Sequence, residues 1–214
     1  MRIKFCGITR PDDAREAARL GAWAIGLNHW EPGARRCDPA VAVEIGAEFR
    51  RQLEVVGVFV NAKLDEIASA VEDEGLTMVQ LHGYEGAAFC REVARRTGCP
   101  VIKAMRVRSG ADVRAAEAFR TDYHLLDAHQ PTAPGGTGES FDWDLLAGRR
   151  SKVPLILAGG LRPDNVAAGI AAAGPFAVDV ASGVESAPGI KDHALMAAFA
   201  DRAREASTDA PIGV

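Results

Sequence analysis

The sequence is poor in several things, and each shortage removes a class of protein. It has no stretch of ~18 consecutive apolar residues, the least a membrane-spanning helix needs, so no membrane partner is expected. It has only four cysteines, Cys6, Cys37, Cys90 and Cys99, in 214 residues. They are too sparse for a disulfide scaffold, and none stands in CxxC spacing, so neither a zinc site nor a thioredoxin motif is indicated. No group of His, Asp and Glu residues has metal-ligand spacing, and no metal or other cofactor is expected. There is no excess of positive charge: 25 Lys and Arg against 29 Asp and Glu give a net charge of −4. That argues against a nucleic-acid partner or a polybasic membrane surface. The opening MRIKFCG lacks the apolar run of a secretory signal, which makes a reducing cytoplasm the expected location.

What remains is an ordinary globular composition, 48% hydrophobic and 25% charged, in a chain of the size of one domain. Four segments share one pattern: GAWAIGL (21–27), GLTMVQL (75–81), GCPVIKA (98–104) and GPFAVDV (174–180). Each follows an Ala-, Glu- or Arg-rich stretch of helical character. A glycine suits the left-handed position that closes a helix, and the apolar run behind it suits a buried parallel strand. The glycines are 54, 23 and 76 residues apart, which divides into units of 23 to 27. The spacing therefore predicts further units, and strand-like runs stand where they are needed, at 55–60, 124–127 and 153–158; residues 3–6 bring the count to eight. Thr9 with Pro11, and Arg162 with Pro163 to Asn165, read as helix starts. Leu64, Ile67 and Val71 form a helical stripe.

Alternating strands and helices imply a parallel sheet with right-handed crossovers. Eight units favour a single closed (β/α)8 TIM barrel over residues 1–206, with residues 207–214 as a flexible tail. Such a barrel usually takes roughly 250 residues, so this one has to be compact. An open doubly wound sheet is the alternative, but no GxGxxG follows the first strand.

In a barrel, chemistry sits where strands end. Those positions carry Cys6, residues 28–36, Asn61, Gln80 with His82, Lys103 with Arg106, Asp127, Gly159-Gly160, and Asp179 with Ser182-Gly183. The loops holding Gly159, Gly160, Ser182 and Gly183 follow strands seven and eight, the usual phosphate site of barrels. Cys6 reads either as a small buried hydrophobe or as a base at the barrel mouth. Lys4 is on the same face of the strand. Asp127 reads either as a loop cap or as a general acid. The long segment 128–140, with its GGTG, has the length of a lid.

In order along the chain, KFCGIT (4–9), VGVFVN (56–61), VQLHG (79–83), LLD (125–127), GGTG with FDW (135–143), GGL with Pro163, Asn165 and Val166, and DVASGVE (179–185) closely resemble the phosphoribosylanthranilate isomerase family of tryptophan synthesis. The resemblance implies a phosphosugar substrate and an Amadori rearrangement, with Asp127 as general acid and Cys6 as general base. It also implies Arg36 on the substrate carboxylate, Gln80, His82 and Asp179 in the pocket, and Gly160, Ser182 and Gly183 on the phosphate. The chain departs from the family at Asn28 and His29, and has adjacent arginines at 35 and 36; Pro32 and Cys37 align so as to favour Arg36. Another phosphosugar isomerase or epimerase, or a barrel that only binds a phosphate ligand, are the competing functions. Monomer and homodimer are both compatible with the sequence.

Overall fold

Every apolar run marked out above becomes a strand, because residues buried on both faces need no polar alternation. The computed structural model describes residues 1–31, 33–127, 143–146 and 148–208. Its strands are β1 (Arg2–Cys6), β2 (Ala24–Asn28), β3 (Glu54–Phe59), β4 (Met78–Leu81), β5 (Val101–Arg106), β6 (Tyr123–Asp127), β7 (Leu155–Ala158) and β8 (Ala177–Val180). They are parallel and close in sequence order, β8 pairing back onto β1. The closed barrel, and not the open sheet, is the architecture. Around it run α1 (Pro11–Arg19), α2 (Pro39–Phe49), α3 (Leu64–Glu74), α4 (Ala87–Thr97), α5 (Gly110–Ala116), α6 (Val166–Ala173) and α7 (His193–Thr208). Gly21, Gly75, Gly98 and Gly174 all take φ between +52° and +70° behind their helices, as the spacing argument requires.

Two apolar layers hold the barrel together. The inner one, with Ala24, Val56, Met78, Ile102, Leu125 and Ile156, fills the lower interior. The outer one packs strand residues such as Phe5, Leu27 and Val79 against Ile45, Ile67, Val93 and Phe199 of the helices. Trp23, Tyr123 and Phe176 close the floor, their ring centroids 5.3–5.5 Å apart, with the Arg2 guanidinium 4.3 Å from the Phe176 ring. With the floor sealed, the open end of the barrel is the one where the strands finish.

Three local expectations are corrected. Thr9 does not cap α1: Arg10 stands at the cap without a side-chain bond, and the Thr9 hydroxyl donates to the Gly189 carbonyl. The helix expected from Pro163 begins only at Val166, because the Asn165 side chain is used locally, accepting from Arg162 N at 2.7 Å and donating to Gly160 O at 3.0 Å. A hairpin, β9 (Glu185–Ala187) and β10 (Ile190–Lys191), follows β8 where only loop was read. Strands this short carry no period to detect. α7 runs through Ser207 to Thr208; the rest of the expected tail lies outside the described residues. Among the described residues no helix is long and apolar enough to cross a membrane.

Candidate active site

Above the inner apolar layer the inward faces turn polar. Lys4 and Asp179 are direct partners across β1 and β8, so in a parallel pair both point the same way. The Lys4 ammonium is fully buried and donates to Asp179 Oδ1 at 2.6 Å. One residue pair higher, Cys6 faces Gly26 of β2, and its Sγ lies 3.9 Å from Asn28 Oδ1. Burial pushes the Cys6 thiol above its ordinary value; Lys4 pulls it back, and Asp179 adds to the rise. Burial pulls Lys4 down, but Asp179 and Cys6 together leave it above its ordinary value.

Across the mouth, β4 and β6 bring together a second group. Gln80 Nε2 donates to His82 Nδ1 at 3.1 Å, which leaves the His82 Nε2–H turned toward Asp127 Oδ2, 3.8 Å away. Burial holds the His82 imidazolium down; the Asp127 and Asp179 carboxylates oppose this, while Lys4 and Arg106 reinforce it. The balance favours the neutral imidazole. Gln80 is buried, and its Oε1 has no hydrogen-bond partner among the described residues.

The two glycine loops meet. Gly159 and Gly160 have φ of +96° and +62°, and Ser182 opens a short 3₁₀ turn directly behind β8. A Cβ on Gly183 would lie 1.9 Å from the Leu161 carbonyl oxygen, so only glycine lets the second loop pack on the first. Gly159, Gly160, Ser182 and Gly183 thus share one rim of the mouth.

The adjacent arginines separate by partner. Arg35 grips the buried Glu185 carboxylate through Nε and a terminal nitrogen at 2.8–3.1 Å. Arg36 meets the exposed Glu31, at 3.0 Å. Glu185 already occupies the Nε edge of Arg35 and is itself buried, whereas the partner of Arg36 is an exposed carboxylate that a ligand can displace. The departure at His29 has a structural cause: its ring stacks on Phe59 at 4.5 Å and its Nε2 reaches Glu74 of α3 at 2.7 Å, away from the mouth.

Lys103 does not belong to the site. It points to the helix layer, where its ammonium donates to Glu85 and Gly83 O, both at 2.8 Å. Strand parity agrees, since Lys103 and Arg106 are three residues apart on one strand and cannot share a face. Asn61 joins the same outer cluster: its backbone N–H donates to Glu85 and its Oδ1 accepts from Tyr84 N. Among the buried charges that went unread, Lys191 lies against the end of β1. Lys191 donates to Cys6 O at 2.6 Å, Ala181 O at 3.0 Å and Glu185 at 3.0 Å, pinning the hairpin under the ends of β1 and β8. A lysine in a polar tail of sequence gives no local signal of this. The expected lid at 128–140, including Gly135 to Gly138, lies outside the described residues. Among the described residues no three His, Cys, Asp or Glu side chains are grouped to hold a metal ion.

The sequence profile of N-(5'-phosphoribosyl)anthranilate (PRA) isomerase matches residues 3–202. The N-(5'-phosphoribosyl)anthranilate isomerase of Citrifermentans bemidjiense is 44% identical over 191 residues, which cover 89% of this chain and 91% of that one. The solved phosphoribosyl anthranilate isomerase of Thermotoga maritima superposes with a TM-score of 0.87 at 39% identity, covering 96% of this chain and 99% of its own. A further solved phosphoribosyl anthranilate isomerase, in complex with reduced 1-(o-carboxyphenylamino)-1-deoxyribulose 5-phosphate, is 36% identical with a TM-score of 0.83, over 96% of this chain and 99% of that one. With the profile matched almost end to end and the same barrel shared with solved members, the chain belongs to the N-(5'-phosphoribosyl)anthranilate isomerase family.

Proposed function

We propose that the chain converts N-(5'-phosphoribosyl)anthranilate into 1-(2-carboxyphenylamino)-1-deoxyribulose 5-phosphate by an Amadori rearrangement, with Asp127 as general acid and Cys6 as general base. The observation that carries this reading is the strand order. β7 and β8, whose loops hold Gly159, Gly160, Ser182 and Gly183, lie between β6, which ends in Asp127, and β1, which ends in Cys6. A phosphate on those loops leaves the sugar over the mouth with an acid on one flank and a thiol on the other.

The reaction needs that pair. Asp127 protonates the ring oxygen as the C1–O bond breaks and the anilino nitrogen lone pair closes a C=N bond. Cys6, as thiolate, takes the proton from C2, and the freed electrons form C1=C2 as the iminium is neutralised. The enol then becomes the ketone. C1 is reduced and C2 oxidised within one molecule, so the electrons balance internally. The Gln80 Oε1 is a buried acceptor for a substrate N–H or O–H, and the planar fork of Arg36 suits the anthranilate carboxylate.

The competing phosphosugar-barrel reading rests on Asn28 and His29, and the outward contacts of His29 take half of that support away. A barrel that only binds has no use for both Cys6 and Asp127. The deciding test is turnover: the purified protein consumes phosphoribosylanthranilate, and its gene restores growth without tryptophan to a strain lacking the isomerase. Failure of both overturns the reading. Gly183→Ala has to part the two phosphate loops, and loss of one hydrogen bond to a charged group is worth about 1.5–3 kcal/mol. Its KM is expected to rise about tenfold or more with kcat less affected, and steady-state kinetics check this. An unchanged KM would remove Gly183 from the phosphate site.

A further inference from the structure

The proposed base stands beside a buried charge pair that the acid–base scheme leaves without a role. Lys4 carries three N–H donors, of which the Asp179 contact at 2.6 Å takes one. The neighbouring position on β2 is Gly26. A Cβ there would lie 2.8 Å from Cys6 Sγ and 3.1 Å from Lys4 Nζ. Glycine therefore keeps open the small space that the thiol and the ammonium both border. Bulk solvent screens these groups little, since Lys4 is fully buried and Cys6 and Asp179 are each less than a tenth exposed.

We propose that Lys4 is a positioning residue whose single buried positive charge is divided between Asp179 and Cys6, so that Asp179 sets how much of Cys6 stands as thiolate. With Asp179 ionised, the ammonium is already neutralised and the thiol keeps its proton. Whatever draws Asp179 away from Lys4 leaves a buried cation whose nearest remaining counterion is the sulfur, and the base is made at that moment. Resting as a thiol also spares Cys6 from oxidation, which follows thiolate character.

The other charged groups facing Cys6 are committed elsewhere. Lys191 of β10 holds Glu185 and two carbonyl oxygens. Arg35 holds Glu185. His82 of β4 and Asp127 of β6 face the site from across the mouth. The directions agree with the geometry: after burial, Lys4 is the largest influence lowering the Cys6 thiol, and Asp179 is the largest charge raising it.

This rests on the proposed role of Cys6 only for its purpose; its test uses no substrate. The thiolate absorbs in the ultraviolet, and Cys6→Ser subtracted from the parent isolates the Cys6 titration from the other three cysteines. An opposite charge within contact range moves a titration by roughly 1–3 pH units. Asp179→Asn, nearly isosteric, is expected to lower the Cys6 midpoint by that amount, and Lys4→Met to raise it similarly. Opposite shifts of this kind support the division of charge. Shifts in the same direction, or no fall in Asp179→Asn, overturn it. Should Lys4→Met fail to fold by circular dichroism, the Asp179→Asn midpoint decides alone. A normal shift in a protein that never turns over phosphoribosylanthranilate would sink the isomerase reading and leave this one standing.

Discussion

Asp127→Asn and Cys6→Ser are each expected to lower kcat on phosphoribosylanthranilate by at least about 100-fold, within the 10²–10⁴-fold that a positioned acid or base supplies. Asparagine keeps the shape of Asp127 but has no proton to give to a breaking C–O bond. Serine keeps a polar atom at position 6, but a hydroxyl beside Lys4 is far too weakly acidic to stand as the oxyanion near neutral pH. Neither change touches the phosphate loops or Arg36, so KM should move much less than kcat, the mark of an interaction made in the transition state. Both residues end strands whose register is set by the barrel, and both variants should unfold near the parent midpoint. If both keep near-full activity in steady-state assays, the acid–base assignment is wrong even with the substrate right.

The largest expected loss of stability is at Lys191. Its side chain is fully buried and surrounded by three acceptors, Cys6 O, Ala181 O and Glu185 Oε1. Burial favours the neutral amine and Glu185 opposes it, leaving Lys191 below its ordinary value. Three acceptors still demand three donors, which only the ammonium has. Lys191→Met leaves two carbonyls without their donor and a buried carboxylate with one cation in place of two. Breaking a buried pair in this way costs about 3–5 kcal/mol, or roughly 6–20 °C in Tm for a chain of this size. Differential scanning calorimetry reads it directly; a fall of under about 2 °C would show that the hairpin contributes little.

The same cluster carries a pH dependence. Burial alone would raise the Glu185 carboxyl, but Arg35 and Lys191 hold it below the usual carboxylate range. A carboxylate depressed on folding stabilises above its unfolded value, about 4.3, and the contribution is lost as pH falls through its folded value. The stability gap between the parent and Glu185→Gln should therefore be full at pH 7 and shrink below about pH 4. A gap that stays constant from pH 7 to pH 3 in denaturant titrations would remove the charge from the explanation.

Much of this was legible from local pattern. The glycine-then-apolar-run signal located strands because a left-handed helix end and a doubly buried strand each impose residue types over a few positions. Cys6, Gln80, His82, Asp127 and Asp179 were legible as polar residues ending apolar runs. Lys103 was misplaced because position along a strand was read without parity, and the Thr9 and Arg162 helix starts because side chains that can cap a helix can equally bond a loop. Pro32 and Cys37 favoured Arg36 over Arg35, but the partner that separates the two arginines, Glu185, stands 150 residues away from Arg35 in sequence.

By itself, then, the sequence determined the repeating unit, the number of barrel strands and which strand ends are polar, since all of these follow from periods of a few residues. Only the tertiary structure decided who meets whom. Closing β8 onto β1 joins Lys4 to Asp179 across 175 residues, stacks the Gly183 loop on Leu161, and sets Lys191 under Cys6. The physical reason is that buried charges are tolerated only with partners, and barrel closure supplies partners that no local pattern specifies.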